Sequence, residues 1–137
     1  MRLAVTVAAA ASIMLAAACT PEQIQAYNNL APHEQAAVRT HWQTVNPPAD
    51  CNTAMRQTWP QSTWAWAEQI IWRESRNNPA AQNARSTAAG CFQMLRVHAG
   101  RYNALGYSWD QRYNATVNSI VALDLYLEQG ATPWRMN

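Results

Sequence analysis

The sequence predicts a mainly α domain, α+β only through one minimal hairpin, set behind a leader and a short helical stalk. Three observations predict it. Apolar residues recur at helical spacing in two long segments, 63–75 and 115–129. Breakers fall at the ends of these segments: Pro60 comes before the first, and Gly130 and Pro133 follow the second. Between them only residues 91–97 form a short apolar stretch, a small strand turning into a helix.

The chain of 137 residues has room for one domain, and that domain does not start at Met1. Met1 and Arg2 form a minimal positive n-region, and residues 3–18 are an unbroken run of apolar and small side chains. A run of that length with no stop-transfer flank reads as a signal peptide, residues 1–18, rather than a membrane span. Ala16, Ala17 and Ala18 supply the small residues that a signal peptidase needs. Cys19 follows directly, and the arrangement resembles the lipobox of bacterial lipoproteins. That resemblance implies lipidation of Cys19 as the mature N-terminus and a membrane anchor through it. The alternative is ordinary cleavage with Cys19 left as a spare thiol. Either way the chain is expected to be exported, to the cell envelope if lipid-anchored and otherwise secreted.

Residues 19–50 read as the stalk. Thr20, Pro21 and Gln23 give an N-cap, a first-turn proline and a capping box, so a short polar helix runs to about Leu30. A second helix is predicted over 32–42, and Asn46, Pro47 and Pro48 then break the chain. The compact domain is assigned to 51–137. It opens with a short helix over 53–59, ended by Pro60, and Ser62 is the expected cap of the main helix. On that helix Thr63, Ala67, Ile70, Ile71 and Glu74 share one stripe, while Glu68, Gln69 and Arg73 point elsewhere. Glu74 is thus the one acidic residue on the apolar face, and it sits in the last turn. Residues 77–89 are Asn, Ala and Ser-rich loop. Gly90 marks a tight turn, and the last helix carries Val117, Ile120, Val121, Leu125 and Leu127 on a broad apolar face that also holds Asp124.

Composition narrows the function classes. The net charge is +2, every basic residue is Arg, and no basic run suggests nucleic acid as a partner. No cofactor motif appears, and no Cys or His has a second ligand at metal spacing, so neither cofactor nor metal is expected. With Cys19 committed to lipid, Cys51 and Cys91 remain as one pair in an oxidising compartment. A bridge between them closes a loop of 40 residues, worth ~4 kcal/mol in the chain-entropy account. Two separate buried thiols are the alternative. Seven Trp are available both for a core and for stacking on sugar rings.

A glutamic acid on an apolar helix face, a polar loop and a turn that returns the Gln93 amide together fit protonation of a leaving group beside a held polar substituent. Glu74-Ser75, Pro79-Ala80, Asn83, Ser86, Ala88, Gly90 and Phe92-Gln93-Met94 resemble the core signature of the lysozyme-like superfamily. The match is to its branch of soluble lytic transglycosylases, phage lysozyme-like domains and resuscitation-promoting factors. Trp109-Asp110, Asn114, the helix over 117–127 and the stretch 130–134 resemble the closing helix and Pro-Trp end of such domains.

The resemblance implies a lysozyme-like fold and cleavage of the β-1,4 bond between N-acetylmuramic acid and N-acetylglucosamine in peptidoglycan glycan strands. It implies Glu74 as the catalytic acid/base. Gln93, Ser75, Ser86, Phe92 and Met94 are the implied substrate-binding residues. Cys91 stands where the family usually has Leu or Tyr, so a bridge to Cys51 would pin the glutamine turn to the start of the domain. A later tyrosine motif of many soluble transglycosylases has only a partial echo at Tyr102. One carboxylate suffices for a lytic transglycosylase, whereas a hydrolytic muramidase more often uses two. Asp110, Asp124, Glu68 and Asp50 are the candidates for a second. The alternatives to a transglycosylase are that muramidase and a non-catalytic peptidoglycan-binding lipoprotein of the same fold.

Overall fold

A computed structural model describes residues 20–135; the leader and Cys19, with the proposed lipidation site, lie outside the described residues. The chain divides into two compact units, Met1–Asn46 and Pro47–Asn137. No described helix is long and apolar enough to cross a membrane.

The first unit contains α1 (Pro21–Asn28) and α2 (Pro32–Val45). The capping box at α1 is closed in both directions. Gln23 N–H donates to Thr20 Oγ1 at 3.3 Å, and Thr20 N–H donates to Gln23 Oε1 at 2.7 Å. Gln35 Nε2 donates to the Tyr27 and Leu30 carbonyls, and Arg39 Nη1 donates to the Tyr27 hydroxyl at 2.6 Å, so the two helices are stapled as a hairpin. α2 runs three residues beyond the expected end at Trp42. Nothing between Trp42 and Asn46 breaks a helix, and the Asn46 N–H still bonds the Trp42 carbonyl.

The second unit is built from α3 (Cys51–Thr58), α4 (Trp64–Ser75), α5 (Ala99–Ala104) and α6 (Ala115–Gln129), joined by 3-10 turns. α3 begins two residues before the expected Thr53, because Asp50 caps it. Asp50 Oδ1 accepts the Thr53 N–H at 2.9 Å. That bond holds the Asp50 carboxyl below the usual carboxylate range, against a smaller opposing effect of burial. The expected cap at Ser62 is corrected. The chain is already turning in a 3-10 segment, Gln61–Thr63, and Thr63 donates its hydroxyl back to the Pro60 carbonyl at 2.7 Å. α4 therefore starts with no side-chain cap.

The hairpin is indeed minimal. Ala89 pairs with Gln82 on one side and Met94 on the other, as two isolated antiparallel bridges. The fold is mainly α, as the resemblance implied. α6 is the central element and packs chiefly against α3. Its buried side chains are Ala115, Thr116, Val117, Asn118, Ser119, Val121, Ala122 and Leu125. Leu127 was placed on the buried face and is instead 72% exposed. It lies two residues past Leu125, which is about 200° around the helix.

The core gathers Met55, Ile71, Phe92, Met94, Tyr102, Val117, Val121 and Leu125. Trp59 stacks on Phe92 with ring centroids 5.0 Å apart, and its indole N–H donates to the Ser119 carbonyl at 2.9 Å. Trp134 meets the same Phe92 edge-on and donates to its carbonyl at 3.0 Å. Each indole thus buries a large apolar ring without stranding its one donor. Of the seven Trp, Trp59 and Trp134 are in this core and Trp64, Trp66 and Trp109 pack against it. Core packing accounts for most of the tryptophan content.

Candidate active site

α4 carries its stripe to the end. Ala67, Ile70, Ile71 and Ser75 are buried, and the Glu74 side chain is left 25% exposed at the rim. The helix stops there because Arg76 and Asn77 both take left-handed backbone conformations, with φ of 53° and 64°. The turn points the chain away; Asn77 Oδ1 accepts the Asn52 N–H at 2.8 Å, which holds the turn to the start of α3, and the Cys51–Cys91 disulfide ties that start to the hairpin.

Glu74 opens onto a cleft. Phe92, Gln93, Met94 and Leu95 line one side of it, and His98, Leu125, Pro133 and Trp134 the other sides. Phe92 and Met94 are almost fully buried and form its apolar floor. Among the described residues lining the cleft, Glu74 is the one carboxylate. Asp124 does not line the cleft and pairs with Arg101, as does Glu128. Glu68 pairs with Arg56, Asp110 is 97% exposed near Arg112, and Asp50 is the helix cap described above.

Two features of Glu74 were not foreseen. Arg73, read from its helical position as pointing elsewhere, bends back onto its neighbour. Its Nε and Nη2 both reach Glu74 Oε1, at 2.9 and 2.6 Å, and Nη2 also reaches the Trp134 carbonyl at 2.5 Å. One carboxylate oxygen is clamped, and Oε2 is the oxygen that Arg73 does not hold. Consecutive helical residues do not normally face each other, so spacing gives no signal for this pair. The other unforeseen residue is His98, at the end of the 3-10 turn Arg96–His98. Burial, and then the nearby Arg101 charge, lower its pKa from the ordinary value of 6.5, against a smaller opposing pull from Glu128. It therefore offers the cleft a neutral imidazole near neutral pH.

Gln93 is in the cleft, but its amide is partly committed. Nε2 donates to the Ala81 and Gly90 carbonyls at 3.1 and 3.0 Å. Both partners are acceptors, so the NH2 group must be the one facing them, and Oε1 is the atom left for a ligand. These two bonds hold a non-glycine residue at φ 51°, a left-handed conformation that costs ~1 kcal/mol or more where nothing over-determines it.

Ser75 and Ser86 do not join this cleft. Ser75 is buried, donates to the Ile71 carbonyl at 3.0 Å and lies beside Cys51 Sγ. Ser86 is exposed on the loop and lines a different groove, and its Oγ accepts the Ala88 N–H at 3.2 Å. Tyr102 is fully buried against Trp109 and belongs to the core.

The turn itself hangs on Asn118, which the sequence reading missed. This side chain is fully buried on α6. Its Oδ1 accepts the Phe92 N–H at 2.9 Å, and its Nδ2 reaches the Ala89 and Arg112 carbonyls at 3.2 and 2.9 Å. Gly90 is forced by the same contact. A Cβ there would lie 2.3 Å from the Arg112 carbonyl oxygen and 2.4 Å from Asn118 Nδ2. A signal for Asn118 existed, since it falls three, four and seven residues before the buried Val121, Ala122 and Leu125.

A small helical domain that holds one half-buried glutamate at a helix end, facing a glutamine turn pinned by the last helix, is of the lysozyme-like class. Sequence comparison resolves the class further. The family model of the transglycosylase SLT domain matches residues 52–132, more than half of the chain, and the chain belongs to that family. At family level this is a lytic transglycosylase-type function with peptidoglycan as substrate. Comparison with curated proteins and with solved structures gives no match.

Proposed function

We propose that this protein cleaves the β-1,4 bond between N-acetylmuramic acid and N-acetylglucosamine as a lytic transglycosylase, with Glu74 as its single acid/base. The observation that carries the proposal is the cleft with one carboxylate, held from one side by Arg73. Glu74 Oε2 gives its proton to the glycosidic oxygen as the C1–O4 bond breaks. The substrate's own acetamido oxygen stabilises the cationic C1. The ionised carboxylate then takes the proton of the 6-hydroxyl, and the C1–O6 bond closes a 1,6-anhydro ring. The proton lent in the first half returns in the second, and no water is consumed. Gln93 Oε1 accepts from an N–H or O–H of the glycan, and Phe92 and Met94 support the apolar side of a sugar ring.

The chain is proposed to work in the cell envelope, exported by the leader 1–18 and anchored through lipid on Cys19. Acyl labelling of wild type but not of a Cys19→Ser chain is expected; equal labelling of the two would remove the anchor.

The decisive experiment is product analysis on purified peptidoglycan with a Glu74→Gln control. Soluble products ending in 1,6-anhydromuramic acid are expected from wild type and not from the variant. Equal release by both would falsify the assignment of Glu74. Reducing muramic ends would make the protein a hydrolytic muramidase. Wall binding without any release would make it the non-catalytic lipoprotein.

A further inference from the structure

A second groove is lined by Gln82, Ser86, Thr87, Arg96, Trp109 and Arg112. It adjoins the Glu74 cleft along the chain, because Leu95 lines one and Arg96, the next residue, lines the other. Its hydrogen-bonding capacity is one-sided. Ser86 Oγ and Thr87 Oγ1 already accept the Ala88 and Arg96 N–H groups, at 3.2 and 3.0 Å, so each hydroxyl has its proton left to donate. The Gln82 amide is used up inside the loop. Its Oε1 accepts the Tyr113 hydroxyl and its Nε2 donates to the Asn83 and Ala88 carbonyls.

The two guanidiniums complete the set. Arg96 makes no ion pair among the described residues. Arg112 lies over the rings of Trp109 and Tyr113, at 5.2 and 4.5 Å from their centroids, and gives one N–H to the Trp109 carbonyl at 3.1 Å. The counter-charge is Asp110, 97% exposed and 3.8 Å from Arg112 Nη1. A groove that presents donors and positive charge, with its tryptophan face already covered by an arginine, is a poor platform for a sugar ring. It is a good receptacle for a carboxylate.

We infer that this groove binds a carboxylate of the peptide stem that muramic acid carries, so that the protein grips its substrate by the peptide as well as by the glycan. The inference rests on the peptidoglycan reading above. The stem leaves the sugar beside the scissile bond, and a groove that adjoins the cleft is where such a branch can run.

The test is equilibrium binding of the full chain carrying Glu74→Gln, which separates grip from turnover. Three probes are compared: glycan oligomers with stems, the same glycan stripped of stems, and stems whose carboxylates are amidated. Stem-bearing glycan is expected to bind about tenfold to a hundredfold tighter than stripped glycan, the order of one charge-assisted hydrogen bond. Amidation, or Arg96→Gln, removes that margin, whereas Arg85→Gln on the same loop keeps it. Equal affinity for stem-bearing and stripped glycan overturns the inference and leaves the glycosidase reading standing. So does a margin that survives both amidation and Arg96→Gln. Binding of no glycan at all overturns the peptidoglycan reading together with the groove.

Discussion

The Arg73 guanidinium grips a single oxygen of its neighbour Glu74 through two nitrogens, and from the same group reaches the carbonyl of Trp134 near the other end of the domain. The pair fixes which carboxylate oxygen is held and fastens the Pro133–Trp134 wall beside the cleft.

Arg73 is therefore expected to act as a positioning residue. Arg73→Ala frees the carboxylate to rotate, and a misplaced reacting group costs ~10- to 100-fold in turnover. The loss should fall on kcat with little change in KM, and Arg73→Lys should recover only part of it, since an ammonium is a single nitrogen without the rigid planar fork that sets two nitrogens on one oxygen. Steady-state release of soluble products measures the split. Unchanged kcat in Arg73→Ala would remove the clamp from the mechanism.

Asn118 is expected to be the costliest polar side chain to lose. Asn118→Ala strands the Phe92 N–H and the Arg112 carbonyl, and leaves the Ala89 carbonyl with the Met94 N–H alone. Unmade bonds of buried groups cost ~1–3 kcal/mol each, so a total of about 2 kcal/mol or more is expected from urea unfolding. A change below about 1 kcal/mol would mean that the turn does not hang on this residue.

The disulfide should matter on the same scale. Cys51 and Cys91 stand 40 positions apart in the sequence, with Glu74 between them. Reduction, or Cys51→Ala with Cys91→Ala, is expected to lower stability by ~4 kcal/mol. Denaturant midpoints of oxidised and reduced protein give the answer directly, and coincident midpoints would contradict it.

His98 predicts a pH dependence of stability. Its folded pKa lies below the ordinary value of 6.5, chiefly through burial. The unfolded chain thus takes up a proton first as pH falls. This contribution is whole above about 6.5 and is lost on going down towards the folded value. Thermal midpoints of wild type should fall over that acid window more than those of His98→Gln. Parallel curves for the two proteins would show that His98 does not titrate differently on folding.

How much of this was legible depended on whether a residue acts through periodicity or through touch. The Glu74 stripe, the Thr20 capping box and the stop at Gly130 are local patterns, and helical spacing or turn chemistry reveals them. Leu127 was misplaced because the apolar side of α6 was drawn too broad; the buried arc ends at Leu125. Asn118 is polar on a buried face, and its use as a bracket for a loop 26 residues earlier is a tertiary fact. Arg73 and His98 escaped for different reasons. One is the neighbour in sequence of the residue it serves, which helical geometry normally keeps apart, and the other sits in a 3-10 turn too short to have a period. Ser75 and Ser86 carry the motif but face away from the Glu74 cleft, one into the core beside the disulfide and one into the second groove.

The reach from Arg73 to the Trp134 carbonyl, with the Trp134 indole bonded to Phe92, has a consequence in time. A chain made from its N-terminus presents Glu74 before Asn118 and Trp134 exist. The wall beside that carboxylate, the bracket on α6 and the second hold on Arg73 arrive only with the final stretch. A ribosome-bound or truncated chain that ends before Ala115 has the acid but not its surroundings. The setting of the proposed acid is thus completed only after the acid itself has been made.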